Sequence, residues 1–415
     1  MKQSPMLRKT LPAIAALAVT LTGCSSGTAE VPSGSPVQTT VSPSAGLPAH
    51  TLPVAHVFGE PVWGMQIPPF WKMIPVVTAQ RVIALDADTV LAFDAKGTEV
   101  WSTDWTPLAE SDRIAGSPPL LRQVTSDVIA VIDTGKVKGE GLATTTYAAR
   151  VTLINVEHGA LIKEVSVPGS ESDSPKLGSV GLGFALPDRT AVVVTPEGEI
   201  VEAPAAPADA RLVGAASVGQ HPIGLWETGS VSTLSSFGGS GWSSDDLLPN
   251  EATTNAQVFG SAADTLVLGR WNEPTAGRGE GGEVAFQVLD AASGKVLATP
   301  ECGPATASPL VVSPNSEWKV AGPLRLSPQN AGDCTGGGEG QRSVTFSAVT
   351  DQGRAFGLAG QGGSDALFVD SKPGEEPETS ELPEGARPPI GVMEGGLAIH
   401  WKAKTGVITA NPVQD

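Results

Sequence analysis

A short glycine-turned hairpin, repeated along the chain, places the strongest limit on what this sequence can fold into. Its clearest copy is residues 81–101, RVIALDADTVLAFDAKGTEVW. Two apolar runs are separated by a turn at residues 86–88, and a third run follows a second turn that contains Gly97. Short apolar runs joined by Asp- and Gly-rich turns predict neighbouring antiparallel strands. One hairpin cannot bury both of its faces, so copies of it must stack on one another.

Looser copies of the hairpin recur, and each is marked by a turn glycine. These glycines are Gly97, Gly159, Gly198, Gly229, Gly294, Gly353 and Gly406. They span 309 residues in six intervals that average about 51 residues, and a blade of four short strands takes about 40 to 50 residues. The sequence therefore predicts an all-β fold, a β-propeller of about seven four-stranded blades, and the uneven intervals also allow six or eight. Glycine is expected at these turns because they need a positive φ.

Two of the copies resemble the repeat of pyrroloquinoline-quinone-type propellers. The matching residues are Leu289, Asp290, Ala291, Gly294, Lys295 and Val296 in one copy, and Asp94, Ala95, Gly97, Val100 and Trp101 in the other. The resemblance implies a quinoprotein-like propeller, a superfamily that contains quinone-dependent enzymes and also the non-enzymatic outer-membrane assembly lipoprotein of Gram-negative bacteria. The adjacent cysteine pair of the enzymes is missing here, so no cofactor is expected.

The first 24 residues resemble the signal of a bacterial lipoprotein. Three cations precede an 11-residue apolar run, residues 11–21, which is too short to span a bilayer but suits export. The sequence Leu-Thr-Gly-Cys then resembles a lipobox, which implies cleavage after residue 23 and attachment of acyl chains, palmitate among them, to Cys24. The alternative is an ordinary signal peptide with a chance cysteine.

The remainder divides into a tether and one large domain. Residues 24–52 are rich in Ser, Thr, Pro and Gly without periodicity, which predicts a flexible tether. Residues 53–415 show no second linker and form the predicted propeller domain. The formal net charge is −18, and it becomes −21 once the three cations of residues 1–23 are removed. This acidity disfavours nucleic acid as a partner. The lipid anchor, in turn, places the expected location at the outer face of the cell membrane.

Two cysteines remain besides Cys24. Cys302 and Cys334 lie in a chain predicted to be exported, and such a pair is most simply a disulfide. The competing interpretation is a two-thiol metal or redox site. It is disfavoured because the chain has no CxxC spacing and no histidine between the two cysteines.

No pattern of catalytic or metal-binding residues stands out in the sequence. The five histidines occur singly, and the GxSxG elbow, the phosphate-binding loop and the dinucleotide fingerprint are missing. Asp86 and Asp88 could offer two oxygens to Ca²⁺, as could Asp245 and Asp246, but Asp-rich turns form far more often for hydrogen-bonding reasons. No catalytic residue and no metal ligand is therefore predicted, and the sequence favours a protein that is not an enzyme.

Two stretches depart from the hairpin pattern. Residues 60–75 place Trp63, Phe70 and Trp71 among prolines, and such aromatic residues are common anchors for a protein partner. The alternative is that this stretch packs against the propeller base or fills its channel. Residues 271–283 form a glycine-rich, charged insertion, which is either a specificity loop or simply disordered.

These observations lead to one functional hypothesis and two alternatives. The hypothesis is a membrane-anchored extracytoplasmic lipoprotein whose propeller is a non-enzymatic binding or scaffolding module for an envelope protein or glycan. One alternative is a quinoprotein-like or carbohydrate-active propeller enzyme. The other is a solute-binding lipoprotein, which the lack of helical periodicity disfavours.

Overall fold

The computed structural model describes residues 50–414 with internal gaps. The gaps are 69–72, 115–116, 138–144, 179–180, 189, 203–210, 219–220, 229–230, 237–254, 263–264, 272–281, 306–307, 337–341 and 361–365. Every regular element in the described ranges is a β-strand, apart from isolated bridges and turns. No helix within those ranges has the length and apolarity to cross a membrane.

The strands form eight antiparallel sheets, numbered here in chain order. Sheets 1 to 3 have four strands each. Sheet 1 contains β2 (Val76–Val77), β3 (Val82–Asp86), β4 (Thr89–Phe93) and β5 (Glu99–Asp104); sheet 2 contains β6 (Leu120–Gln123), β7 (Val128–Val137), β8 (Thr146–Asn155) and β9 (Leu161–Pro168); sheet 3 contains β10 (Lys176–Leu177), β11 (Gly183–Ala185), β12 (Ala191–Val194) and β13 (Ile200–Glu202).

Sheet 4 has three described strands, and sheet 5 adds a fifth strand to a four-stranded meander. Sheet 4 contains β14 (Arg211–Val218), β15 (His221–Thr228) and β16 (Val231–Ser236); sheet 5 contains β17 (Asn255–Ala262), β18 (Thr265–Trp271), β19 (Gly282–Asp290) and β20 (Val296–Ala298), with β21 (Glu301–Ala305) also pairing with β19.

The last three sheets are four-stranded. Sheet 6 contains β22 (Val311–Val312), β23 (Lys319–Ala321), β24 (Leu324–Leu326) and β25 (Gly332–Cys334); sheet 7 contains β26 (Val344–Val349), β27 (Ala355–Ala359), β28 (Leu367–Ser371) and β29 (Glu378–Glu381); sheet 8 contains β30 (Gly391–Met393), β31 (Leu397–Lys402), β32 (Val407–Pro412) and β1 (Trp63–Gln66).

A strand from the start of the described chain completes the last sheet. β1 pairs with β32 in antiparallel register, from Trp63 opposite Ala410 to Gln66 opposite Val407. The sequence predicts that a strand from residues 54–58 or 76–79 closes the last sheet. This prediction is wrong, because neither segment is the closing strand. Residues 76–77 are β2 of sheet 1, while Phe58 makes only an isolated bridge to Val413. Terminal closure itself is observed, and it removes open sheet edges.

Each sheet packs its faces against its two neighbours, and the sheets close into a ring. Apolar side chains interlock at the junctions of sheets 1 and 2, 2 and 3, 5 and 6, 6 and 7, 7 and 8, and 8 and 1. Strands of sheets 3, 4 and 5 also lie against one another in turn. The predicted fold class is confirmed, because the molecule is an all-β propeller. Seven of its described sheets contain four strands in series, and in sheet 4 three strands are described.

The turn glycines belong to three different kinds of hairpin. Gly97, Gly159, Gly198 and Gly294 join the third and fourth strands of their sheets, whereas Gly353 joins the first and second, and Gly406 joins the second and third strands of sheet 8. All six have the positive φ that was predicted. Gly229 lies outside the described residues. The spacing of the seven glycines is uneven because it mixes these three positions.

Candidate functional site

Several residues that were considered in the sequence analysis lie outside the described part of the chain. These are Cys24, Phe70, Trp71, Asp245 and Asp246. The lipid anchor at Cys24 and the partner contacts of the two aromatic residues therefore stay predictions.

Trp63, the third predicted partner-binding residue, lies between sheets 8 and 1. Only 7% of its surface is exposed. Its Nε1 donates a hydrogen bond to the carbonyl oxygen of Ala95 (3.0 Å), and its indole lies against Gly97 so closely that a Cβ on that glycine would be 2.7 Å from it. The Trp63 side chain is thus part of the packing between two sheets, and little of it is left to contact a partner.

Cys302 and Cys334 form a disulfide, as the sequence predicts. Their Cα atoms are 5.4 Å apart. Cys302 lies in β21 of sheet 5 and Cys334 in β25 of sheet 6, so the bond joins two neighbouring sheets covalently. Its position at a sheet junction gives it a structural role.

His400 is a histidine buried at a sheet junction. His400 in β31 is 1% exposed, and its ring lies edge-to-face with Phe58 at 4.8 Å between centroids. Its Nδ1 donates to the carbonyl oxygen of Arg387 (3.1 Å), and its Nε2 has no hydrogen-bond partner among the described residues. Burial lowers the pKa of His400 to about 4, against a smaller opposing effect of the Arg387 carbonyl, so the imidazole is neutral at pH 7.

Two arginine side chains of sheets 6 and 7 are bound by other protein groups. Arg325 is 1% exposed and donates to the carboxylate of Asp333 and to the carbonyl oxygens of Ser371 (3.0 Å) and Lys372 (3.2 Å), which connects sheets 6 and 7. Arg354 makes a similar pair with Asp370 (2.7 Å). A buried charge needs such partners, because leaving one unpaired is costly. Within the described ranges, no group of three or more His, Cys, Asp or Glu residues is placed to bind a metal ion.

The most distinctive surface feature is a set of exposed aliphatic side chains on three consecutive sheets. Val100 in β5 is 41% exposed, Leu161 and Ile162 in β9 are 58% and 40% exposed, and Ile200 in β13 is 41% exposed. Each lies near the start of the last strand of its sheet, just after a turn glycine. These four residues are called the outer rim here.

Irregular strand pairing turns two of these side chains outward. In sheet 1, Trp101 pairs with Ala92 but Glu99 pairs with Phe93, so Val100 is an extra residue in β5. Ile162 of β9 is likewise extra, between Leu161 and Lys163. A β-bulge of this kind disrupts the local ladder and re-aims the side chains at it. Ile200 is exposed without a register shift.

Contacts between the sheets hold the three rim strands side by side. Trp101 of β5 donates from Nε1 to the carbonyl oxygen of Val156 (2.9 Å), and its indole covers Gly159 at the turn that leads into β9. In the same way, the methylene groups of Lys163 in β9 cover Gly198 at the turn that leads into β13. These contacts fix the positions of the rim strands of neighbouring sheets relative to one another.

The strands and turns that carry the rim are rich in acidic groups. The three last strands and their turns, residues 94–104, 155–168 and 195–202, contain eight carboxylates and two lysines. The carboxylates belong to Asp94, Glu99, Asp104, Glu157, Glu164, Glu197, Glu199 and Glu202. Glu164 pairs with Arg150 of β8 (2.7 Å), and Glu157 lies 3.3 Å from the exposed imidazole of His158. The surface thus combines exposed aliphatic side chains with negative charge, a combination that no local sequence pattern indicates.

Comparison with known proteins supports no functional assignment. The chain matches no protein-family model and no curated protein. Solved structures to which the chain is similar include BamB from Moraxella catarrhalis (9% identity, 85% of this chain and 99% of that chain, TM-score 0.40) and a virginiamycin B lyase from Staphylococcus aureus (11% identity, 84% and 98%, TM-score 0.39). The computationally designed Ika8 protein is also similar (10% identity, 82% and 95%, TM-score 0.47). At these values the similarity carries no argument about function, and the fold assignment rests on the sheets themselves.

Proposed function

We propose that this protein is a lipid-anchored extracytoplasmic binding module. In this proposal Cys24 carries the acyl chains, residues 24–52 are the tether, and the propeller presents a docking surface to another protein of the cell envelope. The lipobox-like sequence and the apolar run before it support the anchor. The outer rim, with exposed aliphatic side chains at the same place on three consecutive sheets, is the observation that carries the binding role.

The rim supports binding because it is exposed and held in place. A single exposed apolar residue is normal on any protein, but the rim has four, which recur near the start of the last strand on three consecutive sheets. The rim residues lie on strands whose packing is fixed by Trp101 and Lys163, so docking requires little ordering of the chain. In contrast, the buried Arg325 is engaged in holding sheets 6 and 7 together through the carbonyl oxygens of Ser371 and Lys372.

Photo-cross-linking in cells tests the binding role. A photo-reactive amino acid is placed in the full chain at Leu161, and in separate strains at Ile74, which is 63% exposed in the connection before β2. We expect a defined cross-linked protein that survives stringent washing. Failure of both positions to cross-link any protein would contradict the proposed binding function.

Fractionation and acyl labelling test the anchor. The wild-type protein should take up labelled palmitate and sediment with membranes, whereas Cys24→Ser should do neither, because the thiol is the proposed attachment point. Cys302→Ser paired with Cys334→Ser is the matched control, since it also removes cysteines but should still be labelled. Recovery of the wild-type protein in the cytosol without acyl chains would disprove the anchor.

A further inference from the structure

We propose that the outer rim binds an extended, basic and amphipathic segment of a protein partner. This inference rests on the proposed binding function and narrows it to one surface and one chemistry. The partner segment would carry aliphatic side chains that pack on the rim and Lys or Arg side chains that face the carboxylates of the same strands and turns.

The aliphatic half of the argument comes from the bulges. Val100 and Ile162 are extra residues in their strands, and they follow turns whose glycines are covered by a neighbouring side chain. Their exposure is therefore built into the pairing of the sheets and does not depend on a mobile loop. Leu161 and Ile200 are likewise exposed near the starts of β9 and β13. A partner that covers these side chains removes their apolar area from water.

The charge of the surface selects a basic partner. The rim strands and their turns carry eight carboxylates against two lysines, and one of those lysines, Lys163, packs its carbon chain on Gly198. Complementary charge across an interface guides the encounter and excludes partners of like charge. The same charge repels the anionic lipids of a bacterial membrane, so a lipid surface is disfavoured as the occupant.

The free edge of β9 favours an extended partner segment. Among the described strands β9 pairs only with β8, and at eight residues it is the longest last strand of any sheet. Its outward backbone groups are available to an added strand, which is a common way of recognising peptides. A segment lying along β9 would be flanked by Val100 on one side and Ile200 on the other, because sheet 2 lies between sheets 1 and 3.

A binding titration with synthetic peptides tests the inference. The protein is the full chain with Cys24→Ser, and the probe is a fluorescent peptide of about 12 alternating Lys and Leu residues, long enough to follow an eight-residue strand. Two comparison peptides replace every Lys by Glu or every Leu by Ser. We expect the Lys–Leu peptide to bind at least about tenfold more tightly than either, because both kinds of contact are required. Equal binding of the Glu–Leu peptide would overturn the inference.

Matched variants locate the binding. Leu161→Ser combined with Ile162→Ser should weaken binding of the Lys–Leu peptide by about tenfold or more. Leu297→Ser is the control, because Leu297 is also an exposed aliphatic residue at a bulge, 40% exposed in β20, but it lies outside the three rim sheets. Its affinity should stay within about twofold of wild type. Equal weakening by the control, or none by the rim variant, would place the binding elsewhere and overturn the inference.

Charge variants and vesicles complete the test. Glu199→Gln with Glu202→Gln should reduce the loss of affinity that wild type shows as salt rises from about 0.05 to 0.5 M. Binding to anionic vesicles without binding to the Lys–Leu peptide would identify a lipid surface and contradict the inference. In the cross-linking experiment, cross-links at Ile74 but not at Leu161 would be consistent with the proposed binding function. They would contradict the inference that the outer rim is the binding surface.

Discussion

Two successive sheet junctions use the same geometry with different chemistry. Trp101 and Lys163 each stand four residues after the turn glycine of their own sheet, and each covers the turn glycine of the next sheet. Trp101 is 9% exposed, and its indole also donates a hydrogen bond to Val156. Lys163 is exposed and contributes only its methylene groups to the contact.

The comparison shows that the place of the covering residue in its strand, more than its residue type, defines how neighbouring sheets pack. The close approach to glycine is kept, at 2.6 Å for a hypothetical Cβ on Gly159 and 2.7 Å for one on Gly198. A long side chain with an apolar body suffices to cover the turn, because lysine can lay its carbon chain on a surface while its ammonium group stays in water. The stability contributed by the two contacts should differ greatly, which the following predictions test.

Truncating the two equivalent side chains should have very different effects. Trp101→Ala should lower the free energy of unfolding by about 4 kcal/mol, because it removes a buried indole and leaves a cavity. Lys163→Ala should lower it by about 0.5 kcal/mol or less, as for most surface changes. Chemical denaturation measures both values. Similar losses for the two variants would show that the contacts are energetically equivalent after all.

The Cys302–Cys334 disulfide joins sheets 5 and 6, and its contribution to the free energy of unfolding should be nearly as large as that of the Trp101 contact. Replacing Cys302 and Cys334 by Ala together should lower the free energy of unfolding by about 3 to 4 kcal/mol, since the bond closes a loop with a sequence separation of 32. Denaturant titrations with and without a reductant measure this. A reductant should destabilise wild type by a similar amount and leave the double variant unchanged; an effect on the double variant would point to another cause.

The junction of sheets 7 and 8 should be sensitive to acid through His400. Its pKa of about 4 lies below the usual value of about 6.5, so the unfolded chain takes up the proton first as the pH falls. Stability should therefore be unaffected by this group above about pH 6.5 and should decline by about 3 kcal/mol as the pH falls to about 4. Because carboxylates also respond to acid, the measured quantity is the difference between wild type and His400→Gln. An identical pH dependence of the two proteins would show that this histidine does not contribute.

Two glycines with the same backbone conformation separate the contact from the turn itself. Gly159 (φ 69°) lies under Trp101, whereas at Gly374 (φ 75°) an added Cβ would have no neighbouring atom within 4 Å. Both Ala variants suffer the left-handed strain of about 1 to 2 kcal/mol, but only Gly159→Ala must also displace an indole. Gly159→Ala should therefore be the less stable of the two by about 2 kcal/mol in thermal or chemical unfolding. Equal stabilities would mean that the indole moves aside freely.

The hairpin repeat predicted the fold class because turn glycines and short apolar runs are local features. The number of sheets was harder to predict, since Gly353 and Gly406 serve other hairpins than Gly97 does. Moreover, Asn330 occupies the third turn of sheet 6, also with positive φ, and escapes a search for glycine. Turns at the same place in a sheet can therefore have different residues, such as Asn330 and Gly97. Turns with the same residue, such as Gly353 and Gly97, can lie at different places in their sheets.

The remaining features depend on contacts between distant residues. Trp63 lies in a proline-rich stretch with no strand alternation, and its role follows from pairing with Ala410, more than 300 residues away. Val100 and Ile162 look like ordinary strand residues in the sequence. Their exposure follows from the register of β5 and β9 on their partner strands, which no local pattern encodes.

Closure of the propeller by β1 has a mechanical consequence. The strand nearest the N-terminus is also the strand that locks the ring, and residues just before it contact the other end of the chain, as where the Gln414 amide donates to the Val57 carbonyl oxygen. A pulling force applied through the preceding segment reaches the contacts of Val57 and Phe58 with sheets 7 and 8, and then the β1–β32 ladder. These contacts and the ladder together therefore set the load at which the fold would begin to open.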